Sequence, residues 1–183
     1  MKLGIIGLPQ SGKTTVFGAL TKTAASSGHK GEERISTIRV PDDRIDTLKR
    51  IYQPKKTTYA QVEYFLPGAV ADKKEPSIWT AARDCDALIH VVRNHSAMGF
   101  EEKSPYEDFV KMDQELILAD LVVVEKRLER LELDHNRGKK MDPQEYTLLS
   151  ECRKSLEDET PLRRVAELAT AHKLRGFAFL SAK

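Results

Sequence analysis

Short apolar runs alternate with amphipathic segments along the first half of the chain. The runs that fit strands lie at 3–6, 35–40, 61–66 and 87–92, and the segments with apolar residues at helical spacing lie at 44–52 and 78–86. Apolar and polar residues alternate along 35–40, which predicts a strand with one face in water. The 87–92 run is the most apolar in the chain and predicts a buried parallel strand. This order of elements predicts an α/β fold with a doubly wound, mostly parallel sheet.

A different pattern fills the stretch from about 106 to 158. Apolar residues recur there at alternating spacings of four and three, at Ile117, Leu121, Val124, Leu128 and Leu131, and a second segment carries Leu149, Cys152 and Leu156 at matching spacing. A polar turn at 136–140 separates the two segments. The pattern predicts an inserted antiparallel helical hairpin, a coiled coil; amphipathic packing on the sheet is the alternative. Thr160-Pro161 and Gly176 then predict the two ends of one returning helix.

Residues 7–14 form a complete phosphate-loop motif, G-x-x-x-x-G-K-S/T. The motif follows the first predicted strand and opens a predicted helix, which is the context that such a loop requires. Backbone N–H groups would surround the phosphates, Lys13 would reach the β- and γ-phosphates, and the Thr14 hydroxyl would ligate Mg²⁺. The predicted nucleotide-binding residues are Gly7, Pro9, Gln10, Ser11, Gly12, Lys13, Thr14 and Thr15, with Thr14 as the metal ligand. A strand-to-helix turn without a ligand is the weaker alternative.

Composition narrows the class of protein. The 30 basic and 28 acidic residues leave a formal net charge of +2, which neither indicates nor excludes nucleic acid. Cys85 and Cys152 do not have the spacing of metal ligands. We expect them to be free thiols in a protein of a reducing compartment. His90 and His95 have no ligand partners at metal-site spacing. No signal peptide and no apolar run of transmembrane length is found, so we expect a cytoplasmic protein without a membrane partner.

Several segments resemble the YchF or Obg-like ATPase family of P-loop GTPases. They are 2–9, 40–46, 86–93 and 115–121, together with 124–131 in the predicted hairpin. The resemblance implies binding of GTP or ATP with Mg²⁺ and association with ribosomes. It also implies three parts: the first part of a P-loop nucleotide-binding domain at 1–105, the helical hairpin insertion at 106–158, and a return helix at 159–183.

The chain departs from the pattern of this family at the switch motifs. The family's D-x-x-G motif should follow 62–65, but Leu66-Pro67-Gly68-Ala69 stands there, and no Thr lies near 30–33. Restoring the carboxylate by Leu66→Asp is expected to improve Mg²⁺-dependent nucleotide binding. Asp84 and Asp86 are candidate replacements, although helix-end and strand-entry roles suit them better. Residues 180–183 resemble the stretch before the family's base-reading strand, so we expect the base site and a TGS domain beyond residue 183.

Three functions fit these observations. The first is a nucleotide-hydrolysing switch of YchF type acting at the ribosome, the second a nucleotide-binding pseudo-GTPase scaffold, and the third a P-loop kinase. The missing carboxylate favours slow or no hydrolysis, because loss of a metal-positioning group lowers the rate more than the affinity for phosphate. A kinase is the weakest option because the hairpin, the only candidate lid, is better explained by self-packing. The basic hairpin tip, Lys139-Lys140, is a candidate contact for a protein or RNA partner, with a solvated turn as the alternative.

Overall fold

The computed structural model describes residues 1–23, 33–68, 75–95 and 104–183. Its strands are β1 (Lys2–Ile6), β2 (Arg34–Arg39), β3 (Gln61–Leu66) and β4 (Ala87–His90). Its α-helices are α1 (Lys13–Thr21), α2 (Asp43–Tyr52), α3 (Glu75–Arg83), α4 (Pro105–Asn136), α5 (Pro143–Glu157) and α6 (Ala166–Thr170). The chain forms two compact units, named here the sheet unit (1–81 and 85–91) and the helical unit (82–84 and 92–183).

The sheet unit is built on four strands in the order β2-β3-β1-β4. β1 is parallel to both of its neighbours, β3 and β4, whereas β2 is antiparallel to β3. Ile5, Phe17 and Leu66 are nearly fully buried and form an apolar core between the sheet and α1. Exposure alternates along β2, as predicted, although the exposed face carries the apolar Ile35 as well as Thr37 and Arg39. The prediction of an α/β fold with mostly parallel strands is confirmed.

The prediction for the most apolar run of the chain needs a correction. The strand ends at His90 instead of Val92, and all four of its residues are only partly buried. Within the described residues, β4 pairs with β1 alone and therefore forms one edge of the sheet. Hydropathy identified a parallel strand here, but its burial depends on neighbours on both sides.

Helices α4 and α5 supply most of the core of the helical unit. Val124, Leu149 and Cys152 have no exposed surface, and the other predicted seam residues are buried or pack against the same core. The side chain of Asp142 caps α5 by accepting hydrogen bonds from the backbone N–H groups of Gln144 and Glu145. Although α4 is 32 residues long, none of the helices in the described ranges has the length and hydropathy that a bilayer span requires. The inserted coiled coil stays a prediction.

The single returning helix predicted between residues 160 and 176 is wrong. The segment consists of a 3-10 turn at Leu162–Arg164, the short helix α6, and a second 3-10 turn at His172–Phe177. Val165 and Ala171 have non-helical backbone angles and separate these pieces. The side chains of Leu162, Leu168, Leu174 and Phe179 lie in the same core as α4 and α5. Packing several apolar residues into that core outweighs helix continuity.

A buried carboxylate joins three parts of the helical unit. Asp120 has no exposed surface, and its Oδ1 accepts hydrogen bonds from Arg83 Nη1 at 2.6 Å and from the backbone N of Leu180 at 3.0 Å. Its Oδ2 accepts a hydrogen bond from the backbone N of Ser181 at 2.7 Å. The Lys183 ammonium in turn donates to the carbonyl oxygens of Ala82 and Arg83. The carboxylate thus links α4, the end of α3 and residues 180–181.

Candidate functional site

The phosphate-loop motif lies between β1 and α1. Gly7 follows β1 directly, and Lys13 is the first residue of α1. Because β3 and β4 run parallel to β1, their carboxyl ends, near Pro67 and Val91, meet at the same edge of the sheet. The structure therefore brings the predicted residues 7–15 together at the edge where open α/β sheets bind ligands.

The two glycines of the motif meet different backbone requirements. Gly7 has φ 153°, and a Cβ atom there would lie 2.4 Å from the Val91 carbonyl oxygen and 2.7 Å from Ser11 Oγ. Gly12 has φ 98° and is the N-cap residue of α1. A positive φ favours glycine, so the backbone conformation accounts for the glycine at each of these two positions of the motif.

Lys13 folds back over the loop. Its ammonium donates hydrogen bonds to the carbonyl oxygens of Gly7 at 2.9 Å and Leu8 at 2.7 Å. Partial burial lowers the pKa of Lys13 below its ordinary value. A partly desolvated ammonium interacts with an anion more strongly than one in open water, because the local dielectric constant is lower.

The loop fits a phosphate group. Ser11 is buried, and its hydroxyl has no hydrogen-bond partner within the described part of the chain. No side chain caps α1 and its first turn holds no acidic residue, so the N–H groups of that turn are available to an anion. Thr14 and Thr15 are exposed on the same turn, and Pro9 and Gln10 are exposed on the outer side of the loop.

Asp86, one of the two carboxylates considered as replacements for the Asp that the family resemblance predicts, does not lie at this loop. Asp86 Oδ2 accepts a hydrogen bond from the backbone N of Lys2 at 2.6 Å, at the amino end of β1. That end is about 13 Å from the loop, given four residues at ~3.3 Å each. Asp84 is exposed directly after α3. Over the described ranges, no group of three or more His, Cys, Asp or Glu could hold a metal ion, so His90 belongs to no such group.

Two stretches named in the sequence analysis lie outside the described residues. The first stretch is 24–32, which includes most of the positions near 30–33 where a switch Thr was expected. The second stretch is 69–74, which follows β3 in the chain. The expectations for these stretches remain predictions.

The chain resembles proteins of known family along its whole length. It is 34% identical over 176 residues to the ribosome-binding ATPase YchF of Bacillus subtilis, covering 88% of this chain and 48% of that protein. It is 32% identical over 198 residues to the ribosome-binding ATPase YchF of Escherichia coli O157:H7, covering 100% of this chain and 54% of that protein. No protein-family model matches the chain.

The fold is also similar to that of a solved structure. The fold is similar to that of the Schizosaccharomyces pombe YchF GTPase, with a TM-score of 0.73 and 25% identity, covering 100% of this chain and 54% of that one. The chain belongs to the YchF family of P-loop GTPases. It spans about half the length of the curated YchF relatives that it matches.

Leu66 stands where the family resemblance predicts a metal-binding Asp. Its side chain is only 5% exposed and packs with Ile5 and Phe17 in the core of the sheet unit. The expectation that Leu66→Asp would improve Mg²⁺-dependent binding does not fit this geometry, because a carboxylate there would be buried among apolar side chains instead of reaching the loop.

We therefore expect Leu66→Asp to destabilise the protein by about 3 kcal/mol or more, because an unpaired buried charge adds to the lost apolar packing. Chemical denaturation followed by circular dichroism measures the change. The control is Leu66→Met, whose similar volume should cost less than ~1.5 kcal/mol. Unchanged stability of the Asp variant together with tighter Mg²⁺-dependent binding would show that this side chain reaches the site.

Asp120 is a buried residue of the α4 seam that the pattern of apolar residues did not predict. A signal was present: the residue lies three positions after Ile117 and four before Val124, on the face that carries the apolar seam. A carboxylate on a buried face needs charged or N–H partners, and here Arg83 and two backbone groups provide them. The partners are remote in sequence, so only the fold identifies them.

Proposed function

We propose that the chain binds GTP or ATP, together with Mg²⁺, through residues 7–15. The main support is the Lys13 ammonium, which is held over the loop by the carbonyl oxygens of Gly7 and Leu8. Lys13 would contact the β- and γ-phosphates, and the Ser11 hydroxyl and the N–H groups at the start of α1 would donate hydrogen bonds to the remaining phosphate oxygens. The exposed Thr14 hydroxyl would ligate Mg²⁺. Pro9, Gln10 and Thr15 would border the same phosphates.

We propose slow hydrolysis or none. Phosphoryl transfer depends on positioned metal ions and on electrostatic stabilisation. Leu66 is buried in the apolar core, and Asp86 lies at the opposite end of β1. A nucleotide-binding pseudo-GTPase scaffold is therefore the second candidate function, and measured phosphate release separates the two.

The relatives supply the proposed cellular context. The matched YchF proteins are named ribosome-binding ATPases, so we propose that this chain also associates with ribosomes in the cytoplasm. The paired helices α4 and α5, proposed as an inserted coiled-coil hairpin, are a candidate contact for a protein partner.

The proposal predicts similar affinity for GTP and ATP, because all the proposed contacts are to phosphates and Mg²⁺. Titration with fluorescent analogues of both nucleotides should give dissociation constants within about tenfold of each other, or ~1.4 kcal/mol. Guanosine and adenosine are the controls and should not bind. Binding of a nucleoside, or strong discrimination between the two nucleotides, would show that a base contact dominates and would contradict the proposed phosphate site.

A further inference from the structure

Positive charge is concentrated at the end of α2 and on the loop that follows it. Residues 47–62 contain four basic and no acidic side chains, whereas the whole chain has 30 basic and 28 acidic residues. We name the exposed residues Lys49, Arg50, Tyr52, Lys55 and Lys56 the 49–56 patch. The nearly balanced charge of the whole chain therefore conceals a local excess.

Among the described residues, these charges are not neutralised by neighbouring carboxylates. In the part of the chain that the structure describes, no ion pair involves any cation of the 49–56 patch. Asp42 pairs with Arg44 at 2.8 Å, and the Asp46 carboxylate accepts a hydrogen bond from the Tyr59 hydroxyl. Asp42 and Asp46, which precede the patch in the chain, thus have partners outside it.

The patch also presents an aromatic ring and apolar surface. Tyr52 is 74% exposed, and Leu48 and Ile51 on the same helix are 53% and 65% exposed. No residue of α2 is buried. Exposed aromatic rings among cations are typical of surfaces on which nucleic-acid bases stack while the cations contact phosphates.

The hairpin tip is the other basic surface considered, and its charges are more nearly balanced. Lys139 pairs with Asp134 at 2.9 Å. Asp142, at the start of α5, pairs with Lys173. A polyanion would have to displace or compensate these carboxylates, whereas no carboxylate of the described segments forms an ion pair with a cation of the 49–56 patch.

We propose that the 49–56 patch binds single-stranded RNA, with Lys49, Lys55 and Lys56 on phosphates and the Tyr52 ring stacked on a base. This inference rests on the proposed ribosome association and specifies the surface that would contact ribosomal RNA. Sequence-independent phosphate contacts make the binding strongly dependent on salt.

The test compares two variants of equal charge. Lys49→Glu/Lys55→Glu/Lys56→Glu alters the 49–56 patch, and Arg137→Glu/Lys139→Glu/Lys140→Glu is the matched control at the hairpin tip. Fluorescence anisotropy with a 20-nucleotide single-stranded RNA at several salt concentrations measures binding. The patch variant should lose about tenfold or more in affinity, and its salt slope should fall by about two, given ~0.7 per lost contact on a single strand. The tip variant should bind like the unaltered chain.

A second pair of variants tests the stacking contact. Tyr52→Ala should weaken RNA binding by about fivefold or more, while Tyr52→Phe should retain it, because stacking requires the ring and not the hydroxyl. All these side chains are exposed, and circular dichroism checks that each variant is folded.

Several results would overturn the inference. Equal loss of RNA binding in the patch and tip variants would show a general charge effect, and binding to anionic phosphatidylserine vesicles without binding to RNA would identify a membrane surface. Co-sedimentation with bacterial ribosomes separates the two proposals. If the unaltered chain does not sediment with them, ribosome association fails; if the patch variant sediments as well as the unaltered chain, only the patch is wrong.

Discussion

Lys13→Ala is expected to abolish nucleotide binding, with affinity for GTP and ATP lowered at least ~100-fold, or about 2.7 kcal/mol. Lys13 carries the only charge in residues 7–15, and its ammonium already lies at the loop through the carbonyl oxygens of Gly7 and Leu8. Titration with a fluorescent nucleotide at fixed Mg²⁺ concentration measures the loss. Equal affinity in the variant and the unaltered chain would reject the phosphate-loop proposal.

The matched control is Lys22→Ala, which removes an exposed lysine at the other end of the same helix. It should leave nucleotide affinity unchanged. The unaltered chain should also bind less tightly as pH rises through the lowered pKa of Lys13, because the neutral amine does not attract phosphate. This loss at high pH should be absent from the residual binding of Lys13→Ala.

Asp120→Ala is expected to destabilise the helical unit by about 3–5 kcal/mol, because it leaves the partly buried Arg83 and two backbone N–H groups without their carboxylate. Urea denaturation followed by circular dichroism measures the change. Asp120→Asn keeps the size of the side chain and should also be destabilising, since the amide cannot replace the charge opposite Arg83.

Asp134→Ala is the matched control for Asp120→Ala. Asp134, also on α4, pairs with Lys139 in the turn after the helix, and ion pairs at the surface contribute little to stability. An Asp120 variant that unfolds at the same urea concentration as the Asp134 variant would show that the buried network does not support the fold.

The sheet unit shows how much a pattern of residues can predict. Local signals set the strand ends closely: β3 was predicted at 61–66 and is observed at Gln61–Leu66. The burial of Leu66 at the carboxyl end of β3 could not be predicted in the same way, because Leu66 packs against Ile5 and Phe17, which are distant in sequence.

In the helical unit, the local signals at residues 160–176 predicted the wrong structure. Thr160-Pro161 and Gly176 are valid local signals for the ends of a helix, yet the segment is broken at Val165 and Ala171. Helix propensity contributes only tenths of a kcal/mol per residue, whereas burial of one large apolar side chain contributes about 1.5–3 kcal/mol. Four such side chains in the shared core therefore decide the backbone path.

The sequence by itself determined the α/β class, the phosphate loop at residues 7–14 and the apolar seam of α4, because each depends on residue types at fixed short spacings. Only the tertiary structure decided the burial of Leu66, the partners of Asp120 and the position of Asp86 at the far end of β1. Contacts between residues far apart in the chain carry no periodic signal. Their energies, from buried apolar area and from paired charges in a low dielectric, exist only once the chain has folded.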